Sequence, residues 1–231
     1  MNPCNGTFAT AARSGRDESQ TRSRSDGRRT VAGVTGYAAV LLAGGSARRM
    51  GGVDKPALRV AGQSLLDRVL GAVPDAAPRI VVGPPRRVPA GVLIAQEHPP
   101  GAGPAAAIAA GLRLVPPGVS HVAVLAADLP FLTAAAVAAL RAAVTADAAV
   151  FTDRDGRRQF LCAVWRLEPL RRRLAALGPL TGVSLRQVYT DATVAELAAS
   201  GDPPPWYDCD TGADIIRAGA WLRDHQTPTG T

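Results

Sequence analysis

Lysine is almost missing from this chain of 231 residues: of its 26 basic residues Lys55 alone is a lysine, and the rest are arginines. A sequence that uses arginine wherever positive charge suffices makes its one lysine a residue to watch. Cysteine is scarce too. Cys4, Cys162 and Cys209 are odd in number and far apart, which excludes a disulfide framework and a C-x-x-C metal site and fits a reducing, cytoplasmic setting. Aromatic residues make up 4%, too few for the stacking platforms that single-stranded nucleic acids need. Apolar runs such as "VAVLAA" (122–127) and "LTAAAVAAL" (132–140) fall short of the roughly 18 residues of a membrane span. The first 36 residues lack the apolar h-region of a secretory signal. Hydrolase motifs are absent as well: there is no G-x-S-x-G elbow, and His98, His121 and His225 show no H-E-x-x-H spacing.

The net charge of +7 brings nucleic-acid binding to mind. The basic residues form no stripe interleaved with aromatics, so a mild positive excess suits small polyanions better. Residues 1–36 are polar, charged and without apolar periodicity, the composition of a disordered tail; an upstream mis-assigned start codon would also account for them.

From Tyr37 the pattern changes. Short continuous apolar runs at 37–43, 79–83, 92–95, 121–127, 148–152 and 160–165 alternate with helical stretches at 63–73, 104–115, 133–144 and 167–177. Strands apolar on both faces belong in a sheet covered on both sides, so the alternation predicts a single α/β domain, doubly wound around a mostly parallel sheet. The domain is expected to span 37–222, with a flexible C-terminus at 223–231. Such sheets bind ligands beyond the carboxyl ends of their strands.

Four loops there carry candidate chemistry. "LLAGGSARRMGGVDKPAL" (41–58) places four glycines, two arginines and Lys55 in one connection, the backbone amides and cations that cradle a polyphosphate. It is not a Walker A loop, because Lys55 is followed by Pro56. The bland alternative is a surface loop with solvated charges. "EHPPGAGPAAAIAAGL" (97–112) reads as a helix entry at Pro104 whose amides face a base or ribose, with Gly103 as a candidate. "VLAADLPFLT" (124–133) leaves Asp128 at a strand end; with Thr133 as the helix cap, its carboxylate stays free for a ligand such as Mg²⁺. In "WYDCDTGADI" (206–215), Asp208 and Asp210 share one side of an extended stretch, where metal binding and N-capping by Asp210 or Thr211 compete; Asp214 is a first-turn acid. The run Arg171–Arg173 reads as the solvated face of a helix.

"LAGGSARRMGGVDKPAL", "GAGPAAAI", "AADLPFL" and "YDCDTGADI", in this order, resemble the molybdenum cofactor guanylyltransferases, within the nucleotidyltransferases of the LAGG-x-x-x-R-M-G-x-x-x-K type. The resemblance covers residues 37 to about 222. It implies a three-layer Rossmann-like domain and Mg²⁺-dependent transfer of GMP from GTP to the terminal phosphate of molybdenum-molybdopterin, with pyrophosphate released and recipient molybdoenzymes downstream. By the same resemblance Leu42, Ala43, Gly44 and Gly45 contact the nucleotide, Arg49 and Lys55 hold its phosphates, and Asp128 binds Mg²⁺. Two departures stand out: Asp208 and Asp210 replace an Asn-x-Asn pattern, and Glu97 or His98 must replace an aspartate. Transfer of CTP or another nucleotide to a different phosphate, or a non-catalytic nucleotide-binding role, are the alternatives the residues leave open.

Overall fold

Six buried residues, Tyr37–Leu42, form strand β1, apolar on both sides because it lies inside a sheet covered on both faces. The computed structural model describes residues 36–44, 54–199 and 201–225, all within the unit Ala32–Thr231. Nearly all of the expected tail lies outside the described residues, as do 226–231 and residues 45–53 with Gly45 and Arg49.

After β1 come a hairpin, β2 (Arg59–Val60) and β3 (Gln63–Ser64), helix α1 (Leu65–Gly71), β4 (Arg79–Val82), β5 (Val92–Ala95), α2 (Pro104–Leu112), β6 (His121–Ala126) and α3 (Ala134–Ala143). The chain continues through β7 (Ala148–Thr152), β8 (Arg158–Arg166), α4 (Leu167–Ala176), α5 (Leu185–Tyr189), β9 (Val194–Ala198) and α6 (Gly212–Asp224). The seven-stranded sheet has the order β5-β4-β1-β6-β8-β7-β9. Neighbours are parallel except for β8, which runs antiparallel to both β6 and β7. The expected three-layer, mostly parallel fold is therefore present. No helix among the described residues is long and apolar enough to cross a membrane.

Side-chain alternation along β1 builds the two cores. Tyr37, Ala39 and Leu41 pack with Leu66, Val69 and Leu70 of α1 and with Val137 and Leu140 of α3. Ala38, Val40 and Leu42 pack on the other face with α2, α4 and α5. Each fully buried Leu or Ile contributes roughly 1.5–3 kcal/mol relative to exposure. α2 sits so close that a Cβ on Gly111 would lie 2.7 Å from Val40 Cγ1. A third cluster, Val60, Leu65, Phe131, Cys209 and Ala218, ties the hairpin to the segment after β6 and to α6. Phe131 meets Tyr207 and Trp221 edge-on there, at 5.4 and 5.0 Å.

Several local expectations change. The short elements α5 and β9 carry no long apolar run that would mark them in the sequence. α6 ends at Asp224, with His225 stacked on Trp221 at 4.0 Å. The Arg171–Arg173 run is more than a solvated face: Arg171 donates to Val115 O, and Arg173 to Gln187 O and Val188 O, joining α4 to its neighbours.

Candidate active site

β1 is where the winding of the sheet reverses. From β1 the chain moves outward through β4 and β5, then returns through α2 to place β6 on the other flank of β1. The carboxyl ends of β1 and β6 lie side by side, with Leu42 opposite Ala126 and Ala127 N–H donating to Leu42 O at 3.1 Å. The segments that follow, beginning at Ala43 and Ala127, leave the same edge of the sheet at its switch point.

Lys55 opens a 3₁₀ turn, Lys55–Ala57, at the far end of the glycine-rich segment. Its ammonium lies 2.5 Å from Asp128 Oδ2 and 2.8 Å from Asp210 Oδ1. Here the structure corrects the sequence reading: Thr133 does cap α3, accepting from Ala136 N–H at 3.1 Å, but Asp128 is paired with the lone lysine rather than free. Lys55 and Asp128 are 21% and 17% exposed, Asp210 53%. Partial burial opposes the charge on Lys55, yet the hydrogen bonds to Asp128 and Asp210 outweigh it and raise its pKa above the usual 10.5.

Asp208 and Asp210 flank Cys209, which points inward and is fully buried, so the extended stretch presents both carboxylates outward as expected. Cys209 N–H donates to Asp128 O at 3.3 Å, fixing this stretch beside the β6 loop. Solvent reaches Asp208, but protein crowds it, and this desolvation, followed by repulsion from Asp210 and Asp128, raises its carboxyl pKa. The N-cap of α6 is Thr211, in a capping box with Asp214, so Asp210 is not needed for capping.

These groups border a cavity of about 840 Å³. Leu42, Gly44, Glu97, Gly103, Asp128, Asp208 and Asp210 line it, and Lys55 stands beside it through its two carboxylates. Ala43 lies off the lining: its N–H donates to Val82 O and its carbonyl accepts from Arg86. Glu97 Oε1 accepts from Gly101 N–H at 2.9 Å, while its buried Oε2 has no partner among the described residues. Gln159, Leu161 and Cys162 of β8 and Trp206 of the turn before Tyr207 also line the cavity; sequence reasoning missed them because Leu161 and Cys162 look like ordinary strand core and neither Gln159 nor Trp206 belongs to a pattern that signals chemistry.

Could a divalent cation fit? Two carboxylates already share one cation, the Lys55 ammonium, and a third lies on the same wall. Among the described residues no three such ligands are placed to hold a metal by themselves. That donor set suits a hard cation completed by phosphate and water oxygens.

A doubly wound sheet with a lysine and carboxylates at its switch point, where the described ends of the glycine-rich segment also lie, is an arrangement suited to handling phosphates. The family model of the MobA-like NTP transferase domain matches residues 39–195, and the chain belongs to that family: it is a nucleotidyltransferase of molybdenum cofactor biosynthesis type. It is 34% identical over 82% of its length to a molybdenum cofactor guanylyltransferase of Bradyrhizobium sp. (strain ORS 278), covering 94% of that protein. A probable molybdenum cofactor guanylyltransferase of Mycobacterium ulcerans is 32% identical over 77% of this chain and 90% of its own. Among solved structures, molybdopterin-guanine dinucleotide biosynthesis protein A from Archaeoglobus fulgidus superposes with a TM-score of 0.64 over 80% of this chain and 98% of its own, at 18% identity. The 2-C-methyl-D-erythritol 4-phosphate cytidylyltransferase of Thermus thermophilus gives 0.61 over 81% and 99%, at 24%. These two likenesses show the shared fold.

Proposed function

We propose that the chain transfers GMP from GTP to the terminal phosphate of molybdenum-molybdopterin in the cytoplasm, forming the guanine dinucleotide cofactor for recipient molybdoenzymes. The observation that carries the guanine assignment is Glu97. Its unpartnered Oε2, beside an Oε1 fixed by Gly101, offers acceptors to the adjacent N1–H and N2 amine of guanine. Cytosine presents one amine and two acceptors on the same edge, which leaves a carboxylate poorly matched. The names of the curated relatives point to the same base.

In the reaction, an oxygen of the acceptor phosphate attacks the α-phosphorus of GTP, and the bond to the β-phosphate oxygen breaks, its electron pair leaving with pyrophosphate. A phosphate monoester is largely dianionic near neutral pH, with a second pKa of about 6, so no general base is required. Positioning and charge stabilisation suffice. Leu42 and Gly44, on the cavity wall, face the nucleotide, with Gly103 and Glu97 at the base and ribose; Ala43 supports them from behind through its bonds to Val82 and Arg86, and Gly45 keeps the nucleotide-contacting role that the family resemblance gives it. Lys55 exchanges its carboxylate partners for phosphate oxygens and, with Arg49, offsets charge on the departing pyrophosphate. Asp128, with Asp208 and Asp210, would hold Mg²⁺, which supplies Lewis-acid neutralisation of the phosphate oxygens when bound.

The test is pyrophosphate release with Mg²⁺, molybdenum-molybdopterin and each NTP in turn. GTP should be the preferred donor; a preference for CTP would overturn the guanylyl assignment. Glu97→Gln turns the free acceptor into a donor facing guanine donors. It should weaken GTP binding by about tenfold or more and leave CTP binding unchanged. Equal GTP binding by this variant in fluorescence titration would remove Glu97 from the base site.

A further inference from the structure

Arg86 lies outside every motif of the sequence and off the cavity wall, on the segment after β4. Its side chain is 9% exposed. One arm of its guanidinium, Nη2, donates to Ala43 O at 2.7 Å; the other, Nη1, meets Asp54 Oδ1 at 3.1 Å. Nε reaches back to Pro84 O at 3.4 Å, which braces the fork against its own segment.

The two partners have a relation that the distances alone do not convey. Ala43 is where the chain leaves β1 for the glycine-rich segment, and Asp54 is where it returns, one residue before Lys55. A single planar cation therefore joins the outgoing and incoming stems. The platform beneath them is also specific. A Cβ on Gly83 would lie 2.8 Å from the backbone of Ala43 and Gly44, so the segment that carries Arg86 touches the outgoing stem backbone to backbone.

Accepting the nucleotidyl-transfer reading above, we propose that Arg86 is a positioning residue: it clasps the two stems of the glycine-rich segment and so sets the Lys55 ammonium against the triphosphate. The fork geometry is what the task demands. Two acceptors on different stems need two fixed donors, which a guanidinium provides and a single ammonium does not. Asp54 in turn bonds Ala57 N–H through its carbonyl, so holding its carboxylate orients the 3₁₀ turn that carries Lys55.

The experiment is GTP titration, by fluorescence of a labelled analogue, on purified parent, Arg86→Met, Arg86→Lys, Asp54→Asn and the exposed neighbour variant Arg87→Met. Parent that binds no GTP would sink the nucleotidyl-transfer reading itself, apart from the clasp. With parent binding, Arg86→Met should weaken affinity about tenfold, and Arg86→Lys should restore little of it. Arg87→Met removes the same charge and should change affinity less than about twofold; an equal loss would mean net charge, not the clasp, and would overturn the proposal. Combined with Lys55→Met, the Arg86→Met loss should largely vanish, because it acts through Lys55; full additivity would assign Arg86 a merely structural role. Should Arg86→Met fail to fold, Asp54→Asn decides the matter, since it frees one arm at an exposed site. Unchanged affinity in Asp54→Asn refutes the clasp, and a loss of about threefold or more supports it.

Discussion

Lys55 shows how much one residue can say and where it falls silent. Its solitude among 25 arginines marked it in the sequence, and its loop suggested phosphate. That an Asp from the loop after β6 and an Asp 155 residues away would both close on it was not legible, because no local pattern records such pairing. The arrangement has a consequence for metal binding. While the ammonium holds Asp128 and Asp210, a divalent cation must compete with it, and its raised pKa keeps it charged at and beyond ordinary pH. Lys55→Met should therefore bind Mn²⁺ without nucleotide about tenfold more tightly than the parent, by paramagnetic resonance titration, although two carboxylates then face each other unshielded. The same variant should lose about two orders of magnitude in turnover, comparable to deleting one preorganised transition-state donor. Lys55→Arg should fail nearly as badly, since a planar guanidinium does not occupy the place of a compact ammonium. Mn²⁺ affinity unchanged in Lys55→Met would mean that the lysine does not guard the carboxylates.

At the scale of elements, the sequence located those with a continuous apolar run or a long helical period and missed the short, weakly patterned ones. β1, β4, β5, β6, β7 and the helices α1 to α4 announce themselves as apolar runs or Ala/Leu-rich stretches bounded by Pro and Gly. β9, "VAELA", alternates weakly at the sheet edge, and α5 has five residues; neither has enough period to be read. The reversed direction of β8 is likewise invisible, since apolar strands look alike in either orientation. Helix α2 offers the sharpest element-level test. Its closeness to β1 depends on Gly111, where a methyl group would meet Val40 at 2.7 and 3.1 Å and Val82 at 3.1 Å. Alanine has the better helix propensity by about 1 kcal/mol, but β-branched neighbours in a packed core yield little. Gly111→Ala is expected to destabilise by about 1–3 kcal/mol, the usual cost of overpacking, seen as a lower midpoint in urea unfolding at unchanged slope. A stabilised variant would mean that α2 lifts from the sheet more freely than this packing allows.

For the molecule as a whole, topology brings to one edge what the sequence scatters from Leu42 to Asp210: Leu42 from β1, Glu97 before α2, Asp128 after β6, and Asp208 and Asp210 before α6. The third apolar cluster makes this possible, because Phe131 and Cys209 anchor the two acidic segments to one packing unit and leave their carboxylates outward. Binding at that edge should stabilise the entire fold by mass action, by about 2.7 kcal/mol at a ligand concentration 100 times Kd. For a domain of this size each kcal/mol is worth about 2–4 °C, so saturating GTP with Mg²⁺ should raise Tm by about 5–10 °C in the parent. Asp128→Asn separates the contributions. The neutral amide is a poor partner for a hard dication, so the part of the shift that depends on Mg²⁺ should disappear. The part due to GTP alone should persist or grow, because Lys55 loses its 2.5 Å partner and turns more readily to phosphate. A full Mg²⁺-dependent shift in Asp128→Asn would move the metal to Asp208 and Asp210. Loss of the GTP-only shift would instead mean that Asp128 holds Lys55 in place for the nucleotide rather than away from it.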